Sequence, residues 1–455
     1  MNKVLDNIII YRIAAVMLVI AGFSACESSF DFYSEFNHTT PSVGRGEEMD
    51  GRGMNEEVRN VLLLYSAGFN SLSRYLAEDI DDLMRGDIPM GSRSKDVLLV
   101  YSHLPVKQNA YSTANPPVLM RVHKDLQGEV VKDTLLVCPE SAHSADPSQL
   151  GMILNYVKNN FPAKTYGMIF SSHATGYLPT GYYSDPNNYV YSPAMSMMSG
   201  DMTADRGVPY VEPEHDPSLP MVKSVGQDLI GKYGSYLSYE IQIEEFARAL
   251  PMYLDYILFD ACLMGGIEVA YELKGKCGLV GFSQTEVLAE GFDYRALPTH
   301  LLSGGTPDPE SVCMDYFAQY DVQSGVYRSA TISLVDCNRL EPVAEICAEL
   351  FDKYALEIAA LDPIKVQRYY RYEYHWFYDL VDIVAKAGAS EEEIAELNEA
   401  IDDCMVYRAA TPEFMESFEI KTYSGFSMYL PSNGSLELDK YYRTLKWNIA
   451  TGLVE

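Results

Sequence analysis

Four apolar runs constrain this chain more than any other feature. VRNVLLLYSAG (Val58–Gly68), DVLLVYSHL (Asp96–Leu104), YGMIFSSHATGYLP (Tyr166–Pro179) and YILFDAC (Tyr256–Cys262) lack the polar alternation of a half-exposed strand, and each closes in small or polar residues. Such runs are strands covered on both faces. Between them lie segments of helical spacing: SRYLAEDIDDLMRGD (Ser73–Asp87), PSQLGMILNYVKNNFP (Pro147–Pro162), YEIQIEEFARALPMY (Tyr239–Tyr253) and GGIEVAYELKG after the last run. Repeated strand–helix–strand order requires crossover connections, so the expected fold is α/β, with a mainly parallel central sheet and helices on both faces. VLMRVHKD and TLLVCPE read as paired edge strands, and GLVGFSQTEV and SATISLVD as further strands. A helix over Leu340–Leu361, an acidic helix over Ser390–Met405 and a late strand in YSGFSMYLP complete the expected elements.

The N-terminus indicates where the fold resides. Lys3 and Arg12 precede an apolar run, Ile13–Phe23, that is too short to span a membrane comfortably and suits a secretory signal. It ends in Phe23-Ser24-Ala25-Cys26, which resembles a bacterial lipobox despite the bulky Phe23. The expectation is a lipoprotein signal peptide over residues 1–25 and a lipid on Cys26; the alternative is an ordinary signal peptide cut nearby. Residues 26–57 are polar, with Gly and Ser, and read as a flexible tether. The body then divides into a main core over 58–335, with a long loop at 180–225, and a C-terminal extension of helices and strand over 336–455. Such a protein belongs in the cell envelope, lipid-anchored, either periplasmic or surface-exposed, and meets the membrane only through its anchor.

Charge and cysteine count narrow the partners. The formal net charge of −30 repels polyanions and gives no support to nucleic-acid binding, whereas peptide or protein substrates with basic residues are tolerated. Of eight cysteines, lipidation of Cys26 leaves an odd number, so in an oxidising compartment at least one thiol stays unpaired or pairs between chains. No Cys-x-x-Cys or His-rich spacing suggests a metal cluster, and no metal ligand or cofactor is assigned.

Two strand ends carry reactive side chains. His173 follows YGMIFSS and Cys262 follows YILFDA, and in an open parallel sheet ligands sit beyond such carboxyl ends. If these strands are neighbours, imidazole and thiol meet at one rim, and the thiol can be deprotonated for attack on an acyl carbon. A helix starting at Met264 would aim N–H groups at the sulfur, and backbone amides near Cys262 and in the Ala174-Thr175-Gly176 turn could hold an oxyanion. Asp260 lies two residues before Cys262, on the same side of an extended strand. A carboxylate there opposes thiolate formation but would receive a cationic side chain, favouring Arg or Lys before the cut bond. Duller alternatives stand beside these readings: a buried core cysteine, a capped surface histidine, and Asp260 as a helix N-cap.

His173-Ala174-Thr175-Gly176 and Asp260-Ala261-Cys262-Leu263-Met264, with Glu268 and Tyr271 following, resemble the clostripain family of cysteine peptidases. Asn70 in SAGFNSL, FSQTEVLAEGFDY, FYDLVDI and GFSMYLP extend the likeness over roughly Val58–Pro431. The resemblance implies a caspase-like three-layer sandwich, a His173/Cys262 dyad, Asp260 at the base of the S1 pocket and cleavage after Arg or Lys. Ala174 stands where the family has glycine, so a methyl group borders the oxyanion site. The rival to an active enzyme is therefore a catalytically inactive surface lipoprotein that binds peptides or proteins. Relatives are processed between His and Cys, and the 180–225 loop offers Arg206 and Lys223 for this. Calcium dependence occurs in the family, although no Asp/Asn-rich calcium loop is legible here.

Overall fold

Nine strands form the central sheet, and the apolar runs supply its middle. The computed structural model describes residues 58–107, 110–113, 115–192, 207–210, 218–223, 228–232, 235–372 and 375–455. The expected signal peptide, Cys26, the tether and Arg206 lie outside the described residues. In chain order the first thirteen strands are β1 (Val58–Ala67), β2 (Asp96–His103), β3 (Val118–Lys124), β4 (Val130–Val137), β5 (Ala163–Ser171), β6 (Val208–Tyr210), β7 (Asp228–Lys232), β8 (Ser235–Tyr239), β9 (Leu254–Asp260), β10 (Cys277–Phe282), β11 (Thr331–Asp336), β12 (Tyr378–Asp379) and β13 (Met405–Ala410).

The sheet order is β13-β11-β10-β9-β5-β1-β2-β3-β4. The five strands from β10 to β2 pair in parallel, and antiparallel pairs close both edges. Burial explains the arrangement: Leu62, Leu64, Leu98, Val100, Ile169, Ile257 and Leu258 are fully buried, which requires cover on both faces of the sheet. Helix α1 (Ser73–Arg85) crosses between β1 and β2, presenting Leu76, Ile80, Leu83 and Met84 to the interior. A separate three-stranded sheet, β6-β8-β7, forms within the region read as a loop and the segment after it.

Several boundaries differ from expectation for local reasons. The helix expected over Tyr239–Tyr253 covers only Ile243–Ala249, because Tyr239 pairs with Asp228 in the small sheet. The helix expected over Leu340–Leu361 breaks at Tyr354 into Glu341–Lys353 and Ala355–Ala359. Residues 56–455 constitute one compact unit. The segment after residue 335 contributes β13 to the central sheet and, at Ser427, a hydrogen bond to Gly265 beside the strand ends. All seven described cysteines are buried free thiols.

Candidate active site

The register of β5 against β9 brings the two sequence-selected strand ends together. Ser171 pairs with Asp260 as the last step of the ladder, so Ser172-His173 and Ala261-Cys262 leave adjacent strands at the same edge. Both side chains are buried. Ser71, just past β1, bonds His173 Nε2 at 3.1 Å, while Nδ1 is buried without a hydrogen-bond partner. The ring lies against the Lys223 main chain, and burial pushes its pKa down to about 3, so the imidazole is neutral.

The thiol is also neutral, for a related reason. Burial raises the Cys262 pKa well above its ordinary value, and the nearby Glu286 carboxylate adds to the rise. The Val287 N–H, Arg371 and Lys223 act in the opposite direction. Val287 donates its N–H to the sulfur at 3.0 Å, and Sγ lies 3.7 Å from the Val287 carbonyl as a donor. Arg371 pairs with Glu286 at 3.2 Å, so that positive charge is largely cancelled next to the sulfur. The expected helix beside Cys262 is not at Met264. Leu263 donates to the Thr285 carbonyl and Gly265 to the Ser283 carbonyl, and the helix, α4 of the chain after Ile243–Ala249 (α3) and Pro147–Asn160 (α2), begins at Ile267. Its six residues therefore do not bring a helix N-terminus to the sulfur.

What seals the thiol is the chain itself. Residues 221–223 lie antiparallel against 287–289: Lys223 donates its N–H to the Val287 carbonyl at 2.9 Å, and Ala289 donates to the Met221 carbonyl at 2.9 Å. Val222 bridges Leu288 between them. The Lys223 carbonyl accepts the Cys262 N–H at 3.4 Å. Its ammonium reaches the Asp260 carboxylate, with Asp79 Oδ2 at 3.2 Å and Ser171 Oγ at 3.3 Å. Tyr294 donates to Asp260 Oδ2 at 2.6 Å. An extended segment thus presents a carbonyl to the thiol's own backbone amide and a lysine to the carboxylate two residues earlier.

The turn after His173 is built around Gly176, whose φ of +62° places a hypothetical Cβ 2.5 Å from the Leu263 carbonyl oxygen. Among described non-glycine residues, positive φ occurs at Leu263, Met415 and Glu416. Ala174 therefore has ordinary backbone geometry, and its methyl group carries no conformational penalty. A cavity of about 40 Å³ adjoins His173, Ala174 and Met264, enough for a water molecule. Among the described residues no group of His, Cys, Asp and Glu is arranged to hold a metal ion.

Sequence reasoning selected His173, Cys262, Asp260, Ala174 and Gly176, and all five lie at this edge. It missed Ser71, Val287 and Asp79. Asp79 had a signal: it falls three residues after Leu76 and four before Leu83, on the buried stripe of α1, where a carboxylate needs a partner.

The fold and the match to a known family define the chain as a cysteine peptidase. The sequence profile described as the clostripain family matches residues 64–190 and 215–451, and the chain belongs to that family. Solved structures agree on the fold. An inactive zymogen C11 protease from Parabacteroides distasonis aligns with a TM-score of 0.66 at 24% identity, over 87% of this chain and 98% of that one. A secreted C11 cysteine protease from Bacteroides thetaiotaomicron, iotapain, aligns with a TM-score of 0.65 at 22% identity, over 87% and 99%. A secreted C11 protease of the same organism, in complex with an irreversible peptide inhibitor, gives 0.64 at 21% identity, over 87% and 99%. No curated protein matches the chain.

Proposed function

We propose that this peptidase is an endopeptidase cutting after basic residues through a His173/Cys262 dyad, and that it is made as a precursor whose first substrate is its own bond after Lys223. The observation that carries this is the residue shared by all parts of the site. Lys223 has its carbonyl on the Cys262 N–H, its ammonium on Asp260, and its main chain against the His173 ring.

The chemistry follows from those contacts. In the tautomer whose Nε2–H donates to the Ser71 hydroxyl, Nδ1 holds the lone pair that takes the thiol proton. The sulfur then attacks the Lys223 carbonyl carbon. The oxyanion is held by the Cys262 N–H, and the proton on His173 passes to the departing amine as the C–N bond breaks. Water attacks the thioester, His173 accepts one of its protons, and the freed thiolate recovers a proton from the imidazolium. The cut ends residue 223 in a carboxylate, which gives the strap covering the thiol a free end. External chains with a basic residue can then take its place along 287–289.

The signal-like N-terminus and its closing Phe23-Ser24-Ala25-Cys26 support export and anchoring by a lipid on Cys26 at the cell envelope. Among the described residues no helix is long and apolar enough to cross a membrane. Ordinary φ at Ala174 leaves the inactive-scaffold alternative without a backbone distortion to support it.

The test combines cutting and labelling. Purified residues 27–455 should cut between residues 223 and 224, as read by intact mass, and then turn over fluorogenic peptides ending in Lys or Arg. Cys262→Ala should abolish both, and a basic acyloxymethyl-ketone probe should attach to Cys262. Turnover that survives Cys262→Ala, or label on another residue, would sink the proposal.

A further inference from the structure

Resting on the peptidase reading above, we infer that the S1 pocket selects lysine over arginine, and that Asp79 is the residue that makes this choice. The Lys223 side chain has 0% exposure, so the pocket closes around it. Its Nζ meets three acceptors from three elements: Asp79 on α1, Ser171 at the end of β5 and Asp260 at the end of β9. An ammonium has three N–H donors and no preferred plane, so acceptors converging on a point satisfy it. A guanidinium is planar, branched and reaches farther, and it is best served by acceptors lying along one edge.

The far wall leaves little room for the larger group. Gly291 stands so close that a Cβ there would lie 2.7 Å from Lys223 Nζ and 2.5 Å from each carboxylate oxygen of Asp260. Tyr294 caps Asp260 Oδ2 at 2.6 Å. An arginine entering along the same main-chain path would push its terminal nitrogens into the Gly291 backbone. Asp79 adds a second buried carboxylate to the first, and Lys223 is its ion-pair partner at 3.2 Å. Burial pushes the Asp79 carboxyl well above its ordinary range while the Lys223 ammonium pulls it back, so the selection rests on oxygens converging on one compact Nζ rather than on two full negative charges.

Two readouts separate this inference from the activity it rests on. In the Cys262→Ala chain, where the strap stays in place, Lys223→Arg should lower the melting temperature by about 3 °C or more, and the isosteric Asp79→Asn should shrink that difference. In the self-cut protein, peptides differing only in a terminal Lys or Arg should show kcat/KM at least about tenfold higher for Lys. Asp79→Asn should lower the lysine value about tenfold, mainly through KM, and narrow the ratio; Asp79→Ala should move it further toward arginine. Equal melting temperatures for Lys223 and Lys223→Arg, or a Lys/Arg ratio unmoved by either Asp79 variant, would overturn the inference. Absence of all peptide turnover would instead count against the peptidase reading, and the melting comparison would still decide the pocket's preference.

Discussion

His173 is held in a state suited to one direction of proton flow. The Ser71 hydroxyl occupies Nε2, and burial keeps the ring neutral with a pKa of about 3. A general base must be unprotonated to act, so self-cutting should stay insensitive to acid well below the usual imidazole range. On the proposed cut the strap would leave, and exposure of the ring to solvent should raise its proton affinity toward the ordinary value of ~6.5. Peptide turnover by the cut protein should therefore fall with acid at a higher pH than self-cutting does. Rate profiles for both reactions between pH 4 and 8 would check this, and superimposed profiles would contradict it. Ser71→Ala should leave KM nearly unchanged and reduce kcat by about tenfold, since it frees the ring to rotate without touching substrate. The residues legible in sequence at this scale were those fixed by strand register. Ser71 and Val287 were not, because their contacts depend on where separate turns come to rest.

One element that depends on a single residue is the turn from β5 into the segment after His173. Gly176 adopts a φ of +62°, and a methyl group there would meet the Leu263 carbonyl at 2.5 Å, in the turn that carries Cys262. Gly176→Ala should cost about 1–3 kcal/mol of stability and shift the two strand ends apart, lowering activity more than stability alone accounts for. Ala174→Gly, at ordinary φ, should alter activity little. Denaturant midpoints and kcat/KM for both variants would test this contrast, and equal behaviour would show that the turn tolerates displacement. Buried strands were legible here because continuous apolar runs have few alternatives. The helix start beside Cys262 was not, since the sequence gives no sign that Gly265 donates to Ser283 in a sheet-like contact and delays the helix to Ile267. Apolar periodicity likewise runs across the break at Tyr354 without marking it.

At the scale of the whole molecule, the last hundred residues brace the strand ends from behind. Glu268, on α4, accepts the Tyr429 N–H at 2.9 Å and the Tyr442 hydroxyl at 2.8 Å, and its other oxygen is buried without a partner. Tyr271 on the same helix packs edge-on against Trp447. Burial raises the Glu268 pKa from 4.5 to about 7. A raised carboxyl pKa means that the folded chain keeps a proton the unfolded chain has released, so this group's stabilising effect is complete below pH 4.5 and is lost as pH climbs through 7. Glu244 and Glu286 are raised to about 7 as well and add their own losses, so a difference measurement is needed to isolate one group. In the Cys262→Ala chain, the native Glu268 should lose on the order of 2–3 kcal/mol more than Glu268→Gln between pH 5 and pH 8. The glutamine can still accept both hydrogen bonds and cannot ionise, so its melting temperature should fall less steeply with pH. Parallel melting curves for the two chains across that range would mean that Glu268 is already charged in the fold, and that the Tyr429 N–H and Tyr442 hydroxyl bond a carboxylate rather than a carboxylic acid.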